Sequence, residues 1–221
     1  MIKILIFVCL TSPLVCRGQM NSANYAYQCH EQKEAGALDA AMVSCNKAIK
    51  MDPENGAAYY YRGNVHSAKG DFDKAIDDYD VAIKLDPKDD DAYYNRGLAR
   101  INKGDFDNAI ADYTKYIELD PNLAEAYHNR AVARFRKQDY SSAIIDYTKA
   151  IELDSQLSEA YVGRADSKAH SGDRSGTIDD CREALKVSPK SSAAYAALGY
   201  LLYDSHVWRD ALAKPLSTPR R

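Results

Sequence analysis

The sequence lacks the features that mark enzymes, nucleic-acid binders and membrane proteins. It contains no Gly-rich phosphate loop, no nucleophile elbow and no paired metal motif, so we expect no cofactor and no catalytic site. No basic block interrupts the mixed charges, whose formal net value is -3, and we expect no nucleic-acid partner. No apolar run approaches the roughly 18 residues of a membrane span, so we expect no integral span.

Large aromatic residues other than tyrosine are scarce, with one Trp and four Phe against 17 Tyr. Tyrosine suits half-buried positions, where the ring packs and the hydroxyl stays near water. Histidine is also scarce, and its five residues share no spacing typical of metal ligands. His30 beside Cys29 is a weak hint of metal binding, and we expect no metal site.

The first residues differ in kind from the rest of the chain. Lys3 precedes the apolar run from Ile4 to Leu10, and small residues follow at the spacing that a signal peptidase reads. We predict a signal peptide over residues 1–18, cleaved after Gly18, and therefore an exported protein that is periplasmic or secreted. Lipid attachment at Cys16 and a retained anchor stay open as alternatives.

Three columns of residues recur every 34 positions in one register. The Tyr column holds Tyr25, Tyr59, Tyr93, Tyr127, Tyr161 and Tyr195. The Ala column holds Ala41, Ala75, Ala109, Ala143 and Ala211, with Thr177 in the gap. The Pro column holds Pro53, Pro87, Pro121 and Pro189, with Ser155 in the gap. Such a period predicts stacked repeats of one supersecondary unit.

Each repeat has the pattern of two helices, as the second repeat illustrates. A helical stripe over residues 57–69 stops at Gly70-Asp71, where the Asp can cap a following helix. That second helix carries an apolar face and ends at Asp86-Pro87, because the residue before Pro avoids helical angles. Gly63 is expected to face Tyr79 across the hairpin, where a small residue permits close approach.

The second repeat resembles a tetratricopeptide repeat. The residues that carry the resemblance are Tyr59, Gly63, Gly70, Phe72, Ala75, Tyr79, Ala82 and Pro87. The resemblance implies an all-α, right-handed superhelical solenoid of helix-turn-helix repeats over residues 22–213, five full and a partial sixth. The expected repeats are 22–55, 56–89, 90–123, 124–157, 158–191 and 192–213. Residues 214–221 are expected to be a disordered tail, and Arg174 and Thr177 suggest loose packing in repeat five.

Proteins of this type bind a peptide or another protein along a concave wall made by the first helix of each repeat, so the resemblance implies a non-enzymatic scaffold or adaptor. Helical spacing places the following residues on that wall, without a role in the core: Tyr60, Tyr61, Asn64, Tyr94, Asn95, Leu98, Ile101, His128, Asn129, Val132, Phe135, Val162, Asp166 and His170. The alternative is an ordinary solvated helix face. Relatives that hold acidic tails of chaperones use Lys and Arg here, but this chain has Tyr60, Glu125 and Asn129 in those slots.

Two charged columns share the same period. Arginine recurs at Arg62, Arg96, Arg130 and Arg164. Aspartate recurs at Asp78, Asp112, Asp146 and Asp180. Repeats one and six lack both members, so we predict a ladder of partly buried Arg–Asp pairs that fixes hairpin register. Solvated surface charge of little energetic value is the alternative.

Two further interpretations concern the ends of the repeat array. Cys29 takes the small-residue slot of the first helix and Cys45 the slot of Tyr79, so we predict a disulfide between them, with two buried thiols as the alternative. At the other end, a self-assembling structural protein is the alternative function. Its apolar contact surface in the incomplete repeat six would be Leu198, Leu201, Leu202 and Trp208.

Overall fold

The computed structural model describes residues 20–203, with side chains as far as residue 199. This part of the chain contains eleven α-helices and no strand, which confirms the all-α fold. The helices are α1 Ser22–Glu34, α2 Leu38–Met51, α3 Gly56–Ala68, α4 Phe72–Leu85, α5 Asp90–Lys103, α6 Phe106–Leu119, α7 Ala124–Arg136, α8 Tyr140–Leu153, α9 Ser158–His170, α10 Arg174–Val187 and α11 Ser192–Tyr203.

Short turns with local caps separate the helices. Gly104 ends α5 with a φ of 77°, a left-handed conformation that costs glycine little. Asp105 then begins α6 by accepting a hydrogen bond from the backbone N–H of Asn108. Asp89 caps α5 in the same way, through the N–H of Ala92. The chain therefore turns within two to four residues, and consecutive helices lie antiparallel.

The hairpins of repeats two and three close by setting a tyrosine ring on a glycine. A Cβ added to Gly63 would lie 2.7 Å from Cε1 of Tyr79, and one added to Gly97 would lie 2.9 Å from Cζ of Tyr113. Distances this short are a clash, so the ring occupies the space that a larger side chain would need. Both tyrosines are fully buried. The expected facing of Gly63 and Tyr79 is thus present.

The stacking of the hairpins determines which helices line the inner curve. Each second helix packs on the first helix of the next repeat, as α4 does on α5. First helices also contact one another along the array, whereas neighbouring second helices within residues 20–203 make no comparable contact. Because the first helices are closer together, the solenoid bends toward them, and α3, α5, α7 and α9 line the concave side.

Repeat five is packed more tightly than its sequence suggests. Thr177 is fully buried, and its hydroxyl donates to the backbone oxygen of Asp173 at 2.7 Å and that of Ala165 at 3.3 Å. These bonds satisfy the polar atom that replaces an alanine methyl. The expectation of loose packing at this position was therefore wrong.

Several predictions concern residues outside the described part of the chain. These are the signal peptide, Cys16, Trp208, the tail and the side chains of Leu201 and Leu202. Among the helices of residues 20–203, none combines the length and the apolar character that a bilayer span requires.

Candidate partner-binding groove

The concave wall, hereafter the groove, contains the residues that the helical spacing assigns to it. Ten of the fourteen residues predicted for this wall span α3 to α9, and all ten are partly exposed. They are Tyr60, Tyr61, Asn64, Tyr94, Asn95, Leu98, His128, Asn129, Phe135 and Asp166. The groove is therefore a face made mainly of rings and amides that are neither fully buried nor fully exposed.

The expectation that these side chains take no part in the core was wrong. Tyr60 packs against Ala75 and Tyr79, and Leu98 packs against Ala109 and Tyr113. The cause is the close packing of the two helices within each hairpin, which brings Tyr60 onto α4 and Leu98 onto α6. The rings are therefore already held in position before a partner binds. Binding would cost these side chains little additional conformational entropy.

Two tyrosine–asparagine hydrogen bonds join successive groove helices. Asn95 Nδ2 donates to the hydroxyl of Tyr60 at 3.0 Å, and Asn129 Nδ2 donates to that of Tyr94 at 3.3 Å. Asn95 Nδ2 also donates to the backbone oxygen of Asp91 at 2.9 Å, which uses both of its amide hydrogens. The group that Asn95 has left for a partner is its carbonyl Oδ1, an acceptor.

Asn64 differs from the other groove amides because it is tied to the core. Its Oδ1 accepts a hydrogen bond of 2.7 Å from the buried hydroxyl of Tyr79.

Burial raises the pKa of Tyr60 to about 12, with smaller contributions from the charges of nearby Asp91 and Asp89, so the phenol is neutral at ordinary pH.

The part of the groove formed by α7 and α9 contains two ionisable groups whose pKa values are shifted by burial. Burial lowers the pKa of His128, whose buried Nδ1 has no hydrogen-bond partner among the described residues. Burial also raises the pKa of Asp166. The rings of Phe135 and His170 lie 5.5 Å apart, and Tyr140 stacks on His170 at 4.7 Å. Tyr140 comes from a second helix, and the spacing rule for first helices could not include it.

Behind the groove, each predicted Arg–Asp pair is in contact. Each arginine places Nη2 on one carboxylate oxygen, at 2.6 Å for Arg62–Asp78 and 2.6 Å for Arg96–Asp112. The same distance is 2.8 Å for Arg130–Asp146 and 2.7 Å for Arg164–Asp180. Nε of every arginine also donates to its aspartate. The aspartates are between 2% and 5% exposed, so these forked pairs are buried on the carboxylate side.

The arginines also connect neighbouring repeats. Nη1 of Arg62 donates to Asn46 of the preceding second helix at 2.8 Å, and Nη1 of Arg96 donates to Asp80 at 2.5 Å. In the following repeats, the acceptors are Thr114 and Thr148. Each guanidinium thus joins three helices, which is more than the hairpin register that the sequence predicts.

A second basic column was missed in the sequence. Four residues after each arginine lies a further basic side chain that approaches the same aspartate. These residues are His66, Arg100, Arg134 and Lys168. Arg100 Nη1 lies 2.6 Å from Asp112 Oδ2, so this carboxylate is shared by two guanidinium groups. The i, i+4 spacing was a usable signal, because it places both cations on one helix face.

Repeat one replaces the tyrosine-on-glycine contact with a covalent bond. Cys29 and Cys45 form a disulfide with an S–S distance of 2.01 Å, and both are fully buried. Ser44, in the slot of the paired aspartate, donates at 2.7 Å to Gln32, which occupies the slot of the second basic column. Cys181 is the free cysteine of the described residues, and burial raises the pKa of its thiol to about 12.

An acidic pocket opens at the N-terminal end of the groove, and the sequence reasoning missed it. Its volume is about 410 Å³, and it lies where α3 meets the turn before α5. Its ionisable and aromatic lining consists of Glu54, Asp86, Asp89, Asp91, Tyr60 and Tyr61. Asp89, Asp90 and Asp91 each offer one oxygen within 4.8 Å of the others, which is the one grouping within residues 20–203 that a metal ion could use.

Family models match the centre of the chain. A tetratricopeptide repeat model matches residues 90–123 and 124–157, and a second matches residues 44–77. A third, described as a TPR repeat, matches residues 67–104. Together these matches span residues 44–157, which is more than half of the 221-residue chain. No curated protein sequence matches the chain.

Solved structures of tetratricopeptide repeat proteins share the fold. YrrB, titled as a TPR protein with an unusual peptide-binding site, aligns with a TM-score of 0.73 and 20% identity over 81% of this chain and 92% of its own. MamA aligns with a TM-score of 0.71 and 23% identity over 77% and 93%. A tetratricopeptide repeat protein from Parabacteroides merdae aligns with a TM-score of 0.68 and 21% identity over 86% and 74%.

Proposed function

Because the chain belongs to the tetratricopeptide repeat family, we propose that it is a non-enzymatic scaffold that binds a peptide segment of another protein in its groove. The fold supports protein–protein interaction in general, and the site then decides what is bound. The observation that carries the proposal is the groove itself: ten partly exposed side chains on consecutive first helices, which are five rings, three amides, one leucine and one aspartate.

The polar groups of the groove suit an extended backbone. Asn95 and Asn129 occupy equivalent places on successive helices, and the Oδ1 of Asn95 is left to accept a peptide N–H. Rings such as Tyr94 and Tyr60 offer apolar area that is already held by neighbouring repeats. YrrB, described as having an unusual peptide-binding site, shares the fold at 20% identity, and peptide binding in the groove is proposed by analogy with it.

We place this activity in an exported compartment. The apolar run after Lys3 and the small residues before Gln19 support a signal peptide. The Cys29–Cys45 bond is in keeping with an oxidising environment, because disulfides are rare in reducing cytosol.

A crosslinking pull-down from the native envelope tests the proposal. The bait is the full chain, compared with an Asn95→Ala/Asn129→Ala variant of the groove. An Asn108→Ala variant is the control, because it removes an exposed amide from the second helix α6. We expect one partner or a small set to be captured by the wild type and the control and lost in the groove variant.

Two results would contradict the scaffold. One is equal capture by all three baits. The other is light scattering that shows stable self-association at tens of micromolar without any captured partner, which would favour the self-assembling alternative through repeat six. We expect a monomer.

A further inference from the structure

We propose that the groove binds a basic peptide segment, with one Lys or Arg side chain seated in the acidic pocket beside Tyr60 and Tyr61. The inference rests on the proposed function and names the chemistry of its ligand. The pocket opens directly beside the groove, because Tyr60 lines it and also accepts the hydrogen bond from Asn95.

The pocket has carboxylates without a balancing cation. Glu54, Asp86, Asp89 and Asp91 contribute to the lining, and no Lys, Arg or His does. None of these four acids forms an ion pair with any described side chain, although other acids of the same repeats pair readily, as Asp80 does with Arg96. The pocket is therefore a local excess of negative charge that a cation would relieve.

The energetic state of the carboxylates agrees with that geometry. Burial raises the pKa of Asp89, and the charges of Asp91, Asp86 and Asp90 raise it further, against a backbone hydrogen bond from Ala92. Burial and the charge of Asp90 raise the pKa of Asp91. A ligand cation would stabilise the ionised forms of both groups.

The tyrosines supply the second half of a cation site. The rings of Tyr60 and Tyr61 lie 5.3 Å apart and are tilted by 57°, so they form two walls beside the carboxylates. The faces of aromatic rings attract cations, and the aliphatic stem of Lys or Arg packs on the same surface. A site that combines rings and acids fits a basic side chain better than a hydrated metal ion.

The negative charge continues along the groove. Asp91, Glu125 and Glu159 occupy the same place on α5, α7 and α9, each at the second residue of its helix. Their charges influence the groove, since the charges of Glu159 and Glu125 both act to raise the pKa of the groove residue His128, against the larger effect of burial. An extended chain that places a cation in the pocket would therefore meet further acids, which is why we commit to a basic segment rather than to a single charged residue.

The test measures binding of the full chain to three pools of fluorescent peptides that differ at alternate positions. One pool carries Lys or Arg there, one carries Gln and one carries Glu. We expect the basic pool to bind roughly tenfold more tightly than the Gln pool and to weaken as salt rises. The Glu pool should bind most weakly.

The variant Asp89→Asn/Asp91→Asn probes the pocket. Asparagine caps helices as well as aspartate does, so α5 keeps its N-cap. The single variant Asp91→Asn, at an exposed position, covers the case in which the double variant folds poorly. The matched control Glu118→Gln/Glu152→Gln removes the same two charges from exposed sites on second helices.

We expect the double pocket variant to bind the basic pool about tenfold less tightly, the single variant roughly threefold less tightly, and the control less than twofold less tightly. Equal loss in pocket and control variants would overturn the inference, as would equal binding of the three pools. Tight binding of the Gln or Glu pool that disappears in Asn95→Ala/Asn129→Ala would also overturn it, but would leave the proposed scaffold intact. Failure of all three pools to bind would also overturn the inference. If the pull-down captured no partner either, the proposed scaffold function would fall as well.

Discussion

Repeat one and repeat three close the same hairpin in two different ways. In repeat three, Tyr113 lies on Gly97, and Asp112 accepts from Arg96 and Arg100. In repeat one, the two central slots hold the Cys29–Cys45 disulfide. Its polar slots hold a neutral hydrogen bond from Ser44 to Gln32.

The difference follows from the neighbours of each repeat. A central repeat is packed on both sides, and Arg96 reaches back to Asp80 of the repeat before it. Within the described residues, α1 has no preceding repeat, so an arginine in its slot would have no second acceptor of this kind. A covalent bond is independent of such neighbours. We therefore attribute the stability of central repeats to buried ion pairs and ring packing, and that of repeat one to the cross-link.

The largest effect should come from Asp112→Ala in repeat three. The variant leaves Arg96 and Arg100 without their shared carboxylate, and breaking a buried pair from one side costs about 4 kcal/mol. Chemical denaturation followed by circular dichroism measures the loss. The counterpart in repeat one, Ser44→Ala, removes a neutral bond and should cost about 1 kcal/mol. Equal losses would contradict the comparison.

Loss of the disulfide should come next. The bond closes a loop with a sequence separation of 16, for which chain entropy predicts about 3 kcal/mol. A Cys29→Ala/Cys45→Ala variant should show early hydrogen exchange in α1 and α2 while α5 and α6 keep their protection. Adding reductant should reproduce this in the wild type and change nothing in the variant. Peptide mapping without reductant that recovers the two cysteines as separate thiols would remove the bond from the account.

A smaller effect is expected for Gly97→Ala. The added Cβ would lie 2.9 Å from Cζ of Tyr113, and overpacking of this kind costs about 2 kcal/mol. Gly199 is the matched control, because it occupies the same slot of repeat six and a Cβ there meets none of the described side chains within 4 Å. Gly199→Ala should be neutral or stabilising by up to about 1 kcal/mol, since alanine favours helix. Destabilisation by both variants to the same extent would show that ring packing is not the cause.

The smallest effect should come from the exposed lysine pairs. Lys103 contacts Asp73 of the preceding repeat, as Lys69 contacts Asp39. The side chain of Asp73 is 81% exposed, and surface pairs contribute little in water. Lys103→Ala should therefore leave the unfolding free energy unchanged within the error of chemical denaturation, measured beside Asp112→Ala. A loss comparable to that of Asp112→Ala would mean that exposure does not explain the difference in stability between the exposed Lys–Asp pairs and the buried Arg–Asp pairs.

The sequence was sufficient for the fold because its signals are periodic. Columns of residues that recur every 34 positions identify the repeat. A position where a column is interrupted marks a repeat that departs from the pattern, as Gln28 and Ser44 do in place of the paired Arg and Asp in repeat one. The same register places Cys29 opposite Cys45 and each arginine opposite its aspartate. Covalent and ionic contacts within a hairpin are therefore predictable once the hairpin is known.

Contacts between repeats were not predictable in the same way. The link from Arg96 to Asp80 and the hydrogen bond from Asn95 to Tyr60 depend on the distance between hairpins, which the period does not give. The acidic pocket has the same origin. Its members come from the turn before α3, from α3, from the end of α4, from the turn before α5 and from the start of α5, and they converge only after stacking.

Hydrogen–deuterium exchange of the full chain with and without its captured partner tests the central claim most directly. The account predicts new protection in the first helices α3, α5 and α7, while the second helices α4, α6 and α8 keep their free-state exchange. Protection confined to the second helices, or to α11 at the end of the array, would contradict binding in the groove.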